Sequence, residues 1–350
     1  MLLLSIPKLL PLHRAATWPP RRACLWAGVV SVASLLVAPP LRAAEAPITL
    51  GLISSGPVDA TKAAWQPVVE VMSRQLGVPV SLAVSKDYAE ITKGVKAGTY
   101  QVAWVNNRMA IELVESSTAV VFAQMVRADG TRGYKSILLA RKDGPIKTLD
   151  DALAKPGSYT LAMGDKKSTS GFLVPNYYIF AKNKVDPDKQ FKAITHASHR
   201  DNFNTLAAGK ADLAINNTEE VPRYQTEQAA DWAKVVQIWE SPLIPNDPIV
   251  MRRDLPAATQ DKLRRIFTSF GQGSAAEKAA LKAINGLSAF ASSGNHQLRP
   301  IVDLDMFNEM TRLMRDNTKT AEQVNTGMAE LTRRAAALDT AMSASRYLGK

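Results

Sequence analysis

Short apolar runs alternate with helix-period segments along most of this chain. ITLGLIS (48–54) has the length and continuity of a buried strand. An amphipathic segment over 61–76 follows and ends at Gly77, which predicts a helix closed by glycine. PVSLAVS (79–85) reads as a second strand, 88–97 as a helix stopped at Gly98, YQVAWV (100–105) as a third strand and 107–115 as a short helix. VVFAQMV (120–126) and YKSILLAR (134–141) are strands separated by the turn ADGTRG. The pattern then starts afresh with a capped helix in TLDDALAKPG (148–157), a strand YTLAM (159–163) and a helix over 170–182. Strands at 190–196 and 211–216 flank a helix at 200–209, and VVQIWES (235–241) and PIVMRRD (248–254) are further strands. Alternating β and α units predict α/β sheets with helices on their faces. Two such groups, with 134–141 and 248–254 running between them, predict two lobes joined by a double crossover: 45–138 plus 249–300, and 139–248. A cleft between lobes is the natural place for a small ligand.

The two ends follow other patterns. Over 301–350 the chain reads as a helical extension, in which Val324, Met328, Leu331, Ala335, Leu338 and Met342 recur at spacings of 4, 3, 4, 3 and 4. That is a heptad seam, and it serves either packing on its own lobe or a homodimer contact. At the start, a basic stretch ending at Arg21-Arg22 precedes fifteen uncharged residues, CLWAGVVSVASLLVA (24–38), and then PPLRAAEA. This is the order of a secretory signal over 1–44, with cleavage expected between about Ala43 and Ala46. A retained anchor is disfavoured because about 20 apolar residues are needed to span a bilayer.

Composition narrows the class. In 350 residues, 46% are apolar and 21% charged, which excludes a disordered chain and a multi-pass membrane protein. The formal charge of +11 overstates the basicity of the body, because Lys8, Arg14, Arg21, Arg22 and Arg42 lie in the leader with no acid beside them. No polybasic run points to nucleic acid. Cys24, the only cysteine, lies within the leader, so the mature chain is expected to have no disulfide or thiolate metal site. Of the four histidines, His13 is also in the leader, and His196, His199 and His296 make no metal-binding pattern; no cofactor is expected.

The chemistry concentrates in GDKKSTSGFLVPNYYIF (164–180), where Ser168, Thr169 and Ser170 stand before an apolar helical face. One hydroxyl suffices to cap a helix. Three place several O–H donors beside the free N–H groups and partial positive charge of a first turn, an arrangement that binds a tetrahedral oxyanion without metal. The stretch lacks the GxxxxGK frame of a phosphate loop and the GxSxG elbow of a hydrolase.

GDKKSTSGFLVPNYYIFAKN, NNTEEV and SPLIPNDPIV together resemble the periplasmic phosphonate-binding proteins of ABC transporters, and the resemblance runs from ITLGLIS to SSGNHQLRPI (292–301). It implies a two-lobed type II periplasmic binding fold that closes on an alkylphosphonate and delivers it to a membrane permease. It also implies site residues. Ser168, Thr169 and Ser170 would hold the phosphonate oxygens; Tyr88, Tyr134 and His199 would join them; Glu219 and Asp247 match the family's acids. The chain departs from the family at Val105 and Asn106, where a tyrosine and a glycine are expected.

Two carboxylates beside a phosphonate dianion would repel it by several kcal/mol at intermediate dielectric. They make sense when a cationic amine lies between, which points to a zwitterionic aminoalkylphosphonate such as 2-aminoethylphosphonate. Two alternatives remain open. The first is a binding protein for phosphate, phosphite or another small oxyanion, since oxygens dominate recognition. The second is a secreted serine hydrolase with Ser170 or Ser168 as nucleophile, His199 as base and Asp247 behind it. Each residue alone also has an ordinary role. Tyr88 suits a helix start, Tyr134 cross-strand packing, Glu219 and Glu220 an acidic first turn, and Asp247 a turn before Pro248. His196 rivals His199, and Trp65, Trp104, Trp232 and Trp239 read as packing residues.

Overall fold

The computed structural model describes residues 46–344. The expected signal, its cleavage region, His13 and Cys24 lie outside the described residues. Two mixed sheets organise the rest. Strands β1 (Ile48–Ile53), β2 (Val80–Ser85) and β3 (Val102–Trp104) are mutually parallel, with β1 central. β4 (Ala119–Arg127) belongs to the same sheet, and a two-residue strand β5 (Gly133–Tyr134) leads out of it. The second sheet holds β6 (Ser136–Arg141), β7 (Thr160–Gly164), β8 (Ala193–Ala197), β9 (Leu213–Asn217) and β10 (Val235–Glu240), in the order β10-β6-β9-β7-β8. The chain returns through β11 (Ile244–Pro245), which pairs antiparallel with β5, and enters β12 (Pro248–Arg252). With β13 (Leu287–Ser292) the first sheet reads β13-β4-β12-β3-β1-β2. The chain therefore passes between sheets twice, and the β5–β11 pair ties both passages together. This is the type II periplasmic binding architecture.

Local chemistry sets the helix boundaries. Gly77 and Gly98 adopt φ of 78° and 79°, the left-handed conformation that ends a helix at little cost for glycine. Thr148 and Asp151 form a reciprocal capping box at Leu149–Leu153. The strand expected at 190–196 begins only at Ala193, because Asp186 and Pro187 start a short helix, Pro187–Gln190, whose last side chain bonds the carbonyls of Ala152 and Leu153.

The segment expected as an α-helix over 170–182 is π-helical over Thr169–Leu173 and Asn176–Ala181, with a short α-helical break at 174–175. Leu173 N–H reaches Ser168 O (3.1 Å) five residues back. Pro175 has no N–H to return to the Ser170 carbonyl, and the Ser136 hydroxyl supplies that bond instead (2.7 Å). The turn that carries Ser168–Ser170 is thereby fastened to β6.

The first lobe's core includes Leu50, Trp65, Phe122, Phe267 and Phe290, and it is joined by Leu173 and Val174 from the π-helical segment. Leu338 and Met342 of the helix Ala321–Ala344 are buried in the same core, so the last turns of the heptad seam pack on their own lobe, while Val324, Met328, Leu331 and Ala335 are half-buried. The preceding helix, Arg299–Arg315, lies against the π-helical segment, with the Asn308 side chain donating to Leu173 O (3.0 Å) and Phe307 edge-on to Tyr177.

Candidate functional site

Parallel strands leave their loops at one end, and ligands collect there. All three parallel strands of the first sheet and three of the second end at a single pocket between the lobes. Caps place the side chains. Asp87 accepts Ala89 N–H (2.7 Å) and Glu90 N–H (3.3 Å), setting Tyr88 as first residue of the helix Tyr88–Lys96. Ser198 accepts Asp201 N–H (3.2 Å), setting His199 first in the helix His199–Ala207. Ser168 accepts Gly171 N–H (2.9 Å) and opens the π-helical turn. Gly171 is obligatory there: an added Cβ would lie 2.8 Å from Ser168 Oγ and 2.9 Å from Gly164 Cα.

All eight residues expected from the sequence line this pocket: Tyr88, Tyr134, Ser168, Thr169, Ser170, His199, Glu219 and Asp247. They divide into two ends. At the hydroxyl end, Ser170 Oγ lies 3.3 Å from His199 Nε2 and 3.5 Å from Asn217 Nδ2, and it also contacts the Tyr134 phenol. The Tyr88 phenol and the Ser168 side chain stand beside each other in the pocket wall. Among the described residues, the N–H groups of Thr169 and Ser170 make no hydrogen bond, so they stay available to an oxyanion. Thr169 does more than face the pocket. Its hydroxyl accepts Arg108 N–H (3.0 Å) and donates to Asn106 Oδ1 (3.2 Å), so it stitches the turn to the first lobe. Burial pushes the Tyr88 and Tyr134 phenols up and the His199 imidazole down. At neutral pH both directions favour the uncharged forms, protonated phenols and a neutral imidazole. His196 is not in this set; its Nδ1 faces Gly164 O at 2.8 Å behind the turn.

At the acid end, Asp247 accepts Trp104 Nε1–H (3.1 Å) and the Tyr134 hydroxyl (3.4 Å). Glu219 pairs with Arg127 across the lobes at 3.2 Å. Glu220 is not a solvated first-turn acid: it is 3% exposed, accepts the Ser55 hydroxyl and lies 3.4 Å from Arg223. Asn217 joins the two ends, since its Oδ1 accepts Glu219 N–H (2.9 Å) and Glu220 N–H (3.1 Å). Three carboxylates thus meet two guanidinium groups. Asp247 has no cationic partner among the described residues. Burial first, and then the neighbouring Glu219, push Asp247 well above its ordinary value. Glu219 is pushed up to about 7 by burial against the pull of Arg127.

The shift carries a sign. A carboxyl whose folded value lies above its unfolded one adds stability at low pH and loses it as pH rises through the folded value. For Glu219 the window runs from its ordinary 4.5 to about 7. Relative to the Glu219→Gln variant, the ligand-free wild type should lose roughly 2–4 °C of melting temperature between about pH 5 and pH 8. Parallel melting curves across that range would refute the shift.

Sequence reasoning missed Ser55, Trp104, Asn106, Asn217, Glu220 and Asn285, which also line the pocket. Trp104 is a packing residue, stacked on Trp65, but its indole N–H also orients the Asp247 carboxylate. Asn106 caps the helix Asn107–Glu115 through Met109 N–H (3.0 Å), and its buried Nδ2 has no partner. The Ser-His-Asp hydrolase arrangement is not assembled. His199 Nδ1 has no partner, while Asp247 is engaged by Trp104 and Tyr134.

Residues 50–298 match the sequence family described as ABC transporter, phosphonate, periplasmic substrate-binding protein. The phosphonates-binding periplasmic protein of Escherichia coli (strain K12) is 40% identical over 266 residues, covering 76% of this chain and 78% of its own length. A phosphate-import protein of Mycolicibacterium smegmatis is 24% identical over 230 residues, covering 63% of this chain and 70% of its own. The crystal structure of a binding protein component of an ABC phosphonate transporter from Pseudomonas aeruginosa superposes with a TM-score of 0.78 at 37% identity, covering 85% of this chain and 98% of that one.

Proposed function

The chain belongs to the periplasmic phosphonate-binding proteins of ABC transporters, and from that premise we propose that its own ligand is a zwitterionic aminoalkylphosphonate such as 2-aminoethylphosphonate. In this reading the leader over 1–44 is cleaved on export, and the closed complex hands its ligand to a permease in the inner membrane. The phosphonate oxygens take the free N–H groups of Thr169 and Ser170, the Ser168 and Ser170 hydroxyls, the two phenols and neutral His199. None of these groups carries a formal charge, so a dianion is held by converging dipoles. The ammonium sits against Asp247 and Glu219.

One observation carries the proposal: Asp247 is a buried carboxylate without a cation, in a pocket whose other acids are paired. Burying an unpaired charge is costly, and a ligand that brings the missing cation removes the cost on binding. It also draws the lobes together, because each of its ends meets groups from both: Tyr88 with Ser168–Ser170 and His199 at the head, Asp247 beside Trp104 with Glu219 at the amine.

A second reading has one observation in its favour: the relative named for phosphate import. Protonated phosphate has an O–H that can donate to a carboxylate such as Asp247. Calorimetry on the mature chain separates the two. With 2-aminoethylphosphonate, methylphosphonate, phosphite and phosphate at about pH 7.5, the amine should bind at least about tenfold tighter than methylphosphonate. Equal or reversed affinities would sink the aminoalkylphosphonate reading, and a lead for phosphate would establish its rival.

A further inference from the structure

The cleft does not stop at Trp104. A second cavity of about 190 Å³ shares Ser55, Trp104 and Asn285 with the ligand pocket, which itself holds only about 30 Å³ of open space. The two spaces meet at the indole. On one side of the second cavity, Trp65 and Trp104 stack with ring centroids 5.6 Å apart, and Ala60 and Ala64 come one turn apart from the helix Val58–Leu76. Any larger side chain at these two positions would take up the space beside the indoles. On the other side stand Arg200 and Arg223, each with Glu227 as an ion-pair partner. Arg223 also donates to Asn285 across the cleft. Arg223 also reaches Glu220, so the two guanidiniums face two carboxylates and the chamber offers no surplus positive charge to a second anionic group. What it offers is small apolar surface and indole.

Its position relative to Asp247 gives it a use. Trp104 Nε1 donates to Asp247 at 3.1 Å, so the carboxylate that awaits an ammonium is hydrogen-bonded to the indole that bounds the chamber. A substituent on that ammonium nitrogen has the indole edge as its way out of the pocket. Alkylated ammonium groups are weakly hydrated and are attracted to aromatic rings.

We propose that this chamber is a subsite for substituents on the ligand's nitrogen, so that the chain accepts secondary and tertiary aminoalkylphosphonates, N-alkylated, alongside the primary amine. The proposal rests on the reading of Asp247 as the ammonium's partner.

The test is calorimetry on the full mature chain with 2-aminoethylphosphonate and its N-methyl and N-butyl derivatives. Wild type should bind both derivatives within about threefold of the primary amine. Ala60→Phe and Ala64→Leu each project into the chamber. Both should weaken the N-butyl derivative by about tenfold or more while holding the primary amine within about twofold. Ala64 packs against the first-lobe core, so Ala60, which is exposed, provides the variant that folding cannot confound. A wild type that binds the primary amine but rejects the N-methyl derivative by more than about 30-fold would overturn the proposal, as would variants that weaken both ligands equally. Failure of the underlying reading looks different. Methylphosphonate or phosphate would then match the primary amine in wild type, and the subsite would fall with it.

Discussion

Asp247→Asn is expected to abolish the preference for an amine-bearing ligand and, in the same molecule, to stabilise the empty protein. The first effect follows from charge. The carboxylate is 6% exposed and without a cation, so a ligand ammonium placed against it gains a desolvated ion pair. Removing one partner of such a pair costs about 2–5 kcal/mol, or roughly 30-fold or more in affinity. Methylphosphonate brings no ammonium and should bind the variant as well as wild type or better, because a negative charge near its own has gone. The second effect follows from linkage. Asp247 is pushed upward by burial and by Glu219, so its ionised form opposes folding at neutral pH. The amide keeps an acceptor for Trp104 Nε1–H and removes that opposition. The ligand-free variant should therefore melt above wild type at about pH 8, and the gain should shrink toward about pH 5. Calorimetry with the two ligands and melting curves at the two pH values check both effects. A variant that loses both ligands equally would place Asp247 in the framework and outside recognition.

Much of this protein is written locally and was legible. Strand and helix periods gave both sheets and the double passage between them, because alternation of buried strands and amphipathic helices follows from burial on the faces of a sheet. The helix starts at Asp87, Ser168 and Ser198 are short-range capping arrangements, and each puts a pocket-lining side chain one or two residues onward. Local sequence thus places all three hydroxyls on the pocket wall. The whole-chain resemblance added Tyr88, Tyr134, His199, Glu219 and Asp247, each of which on its own fits an ordinary helix-start, strand or turn role.

Other features are long-range and left no pattern. Arg127 meets Glu219 across 92 residues of sequence, and Ser55 meets Glu220 across 165. Trp104 looked like packing because an indole in an apolar strand usually is; its N–H gains a role only once β12 lies beside β3 with Ile249 opposite Trp104. That register sets Asp247, two residues earlier, at the indole. The π-helical form of 169–181 was also out of reach, since an apolar face at positions 172, 173, 177 and 180 fits either helix over so short a span. Pro175 was the one hint, and its meaning depends on Ser136 standing ready to satisfy the Ser170 carbonyl.

Ser170→Ala should weaken every oxyanion alike and leave the choice among them unchanged. Its hydroxyl stands among His199 Nε2, Asn217 Nδ2 and the Tyr134 phenol, with that phenol between it and the unpaired acid. A hydrogen bond to a charged group is worth about 1.5–3 kcal/mol, so the loss should be roughly 10- to 150-fold for 2-aminoethylphosphonate and methylphosphonate together. Ser168→Ala provides the contrast, because that hydroxyl also accepts Gly171 N–H and caps the turn. It should lower stability by about 1 kcal/mol, where Ser170→Ala costs less in the empty protein. Paired measurements of affinity and melting temperature on the two variants would separate holding the ligand from holding the turn. If Ser170→Ala weakened only the amine-bearing ligand, the phosphonate head would not be at this helix end, and the orientation on which both ends of the site depend would be reversed.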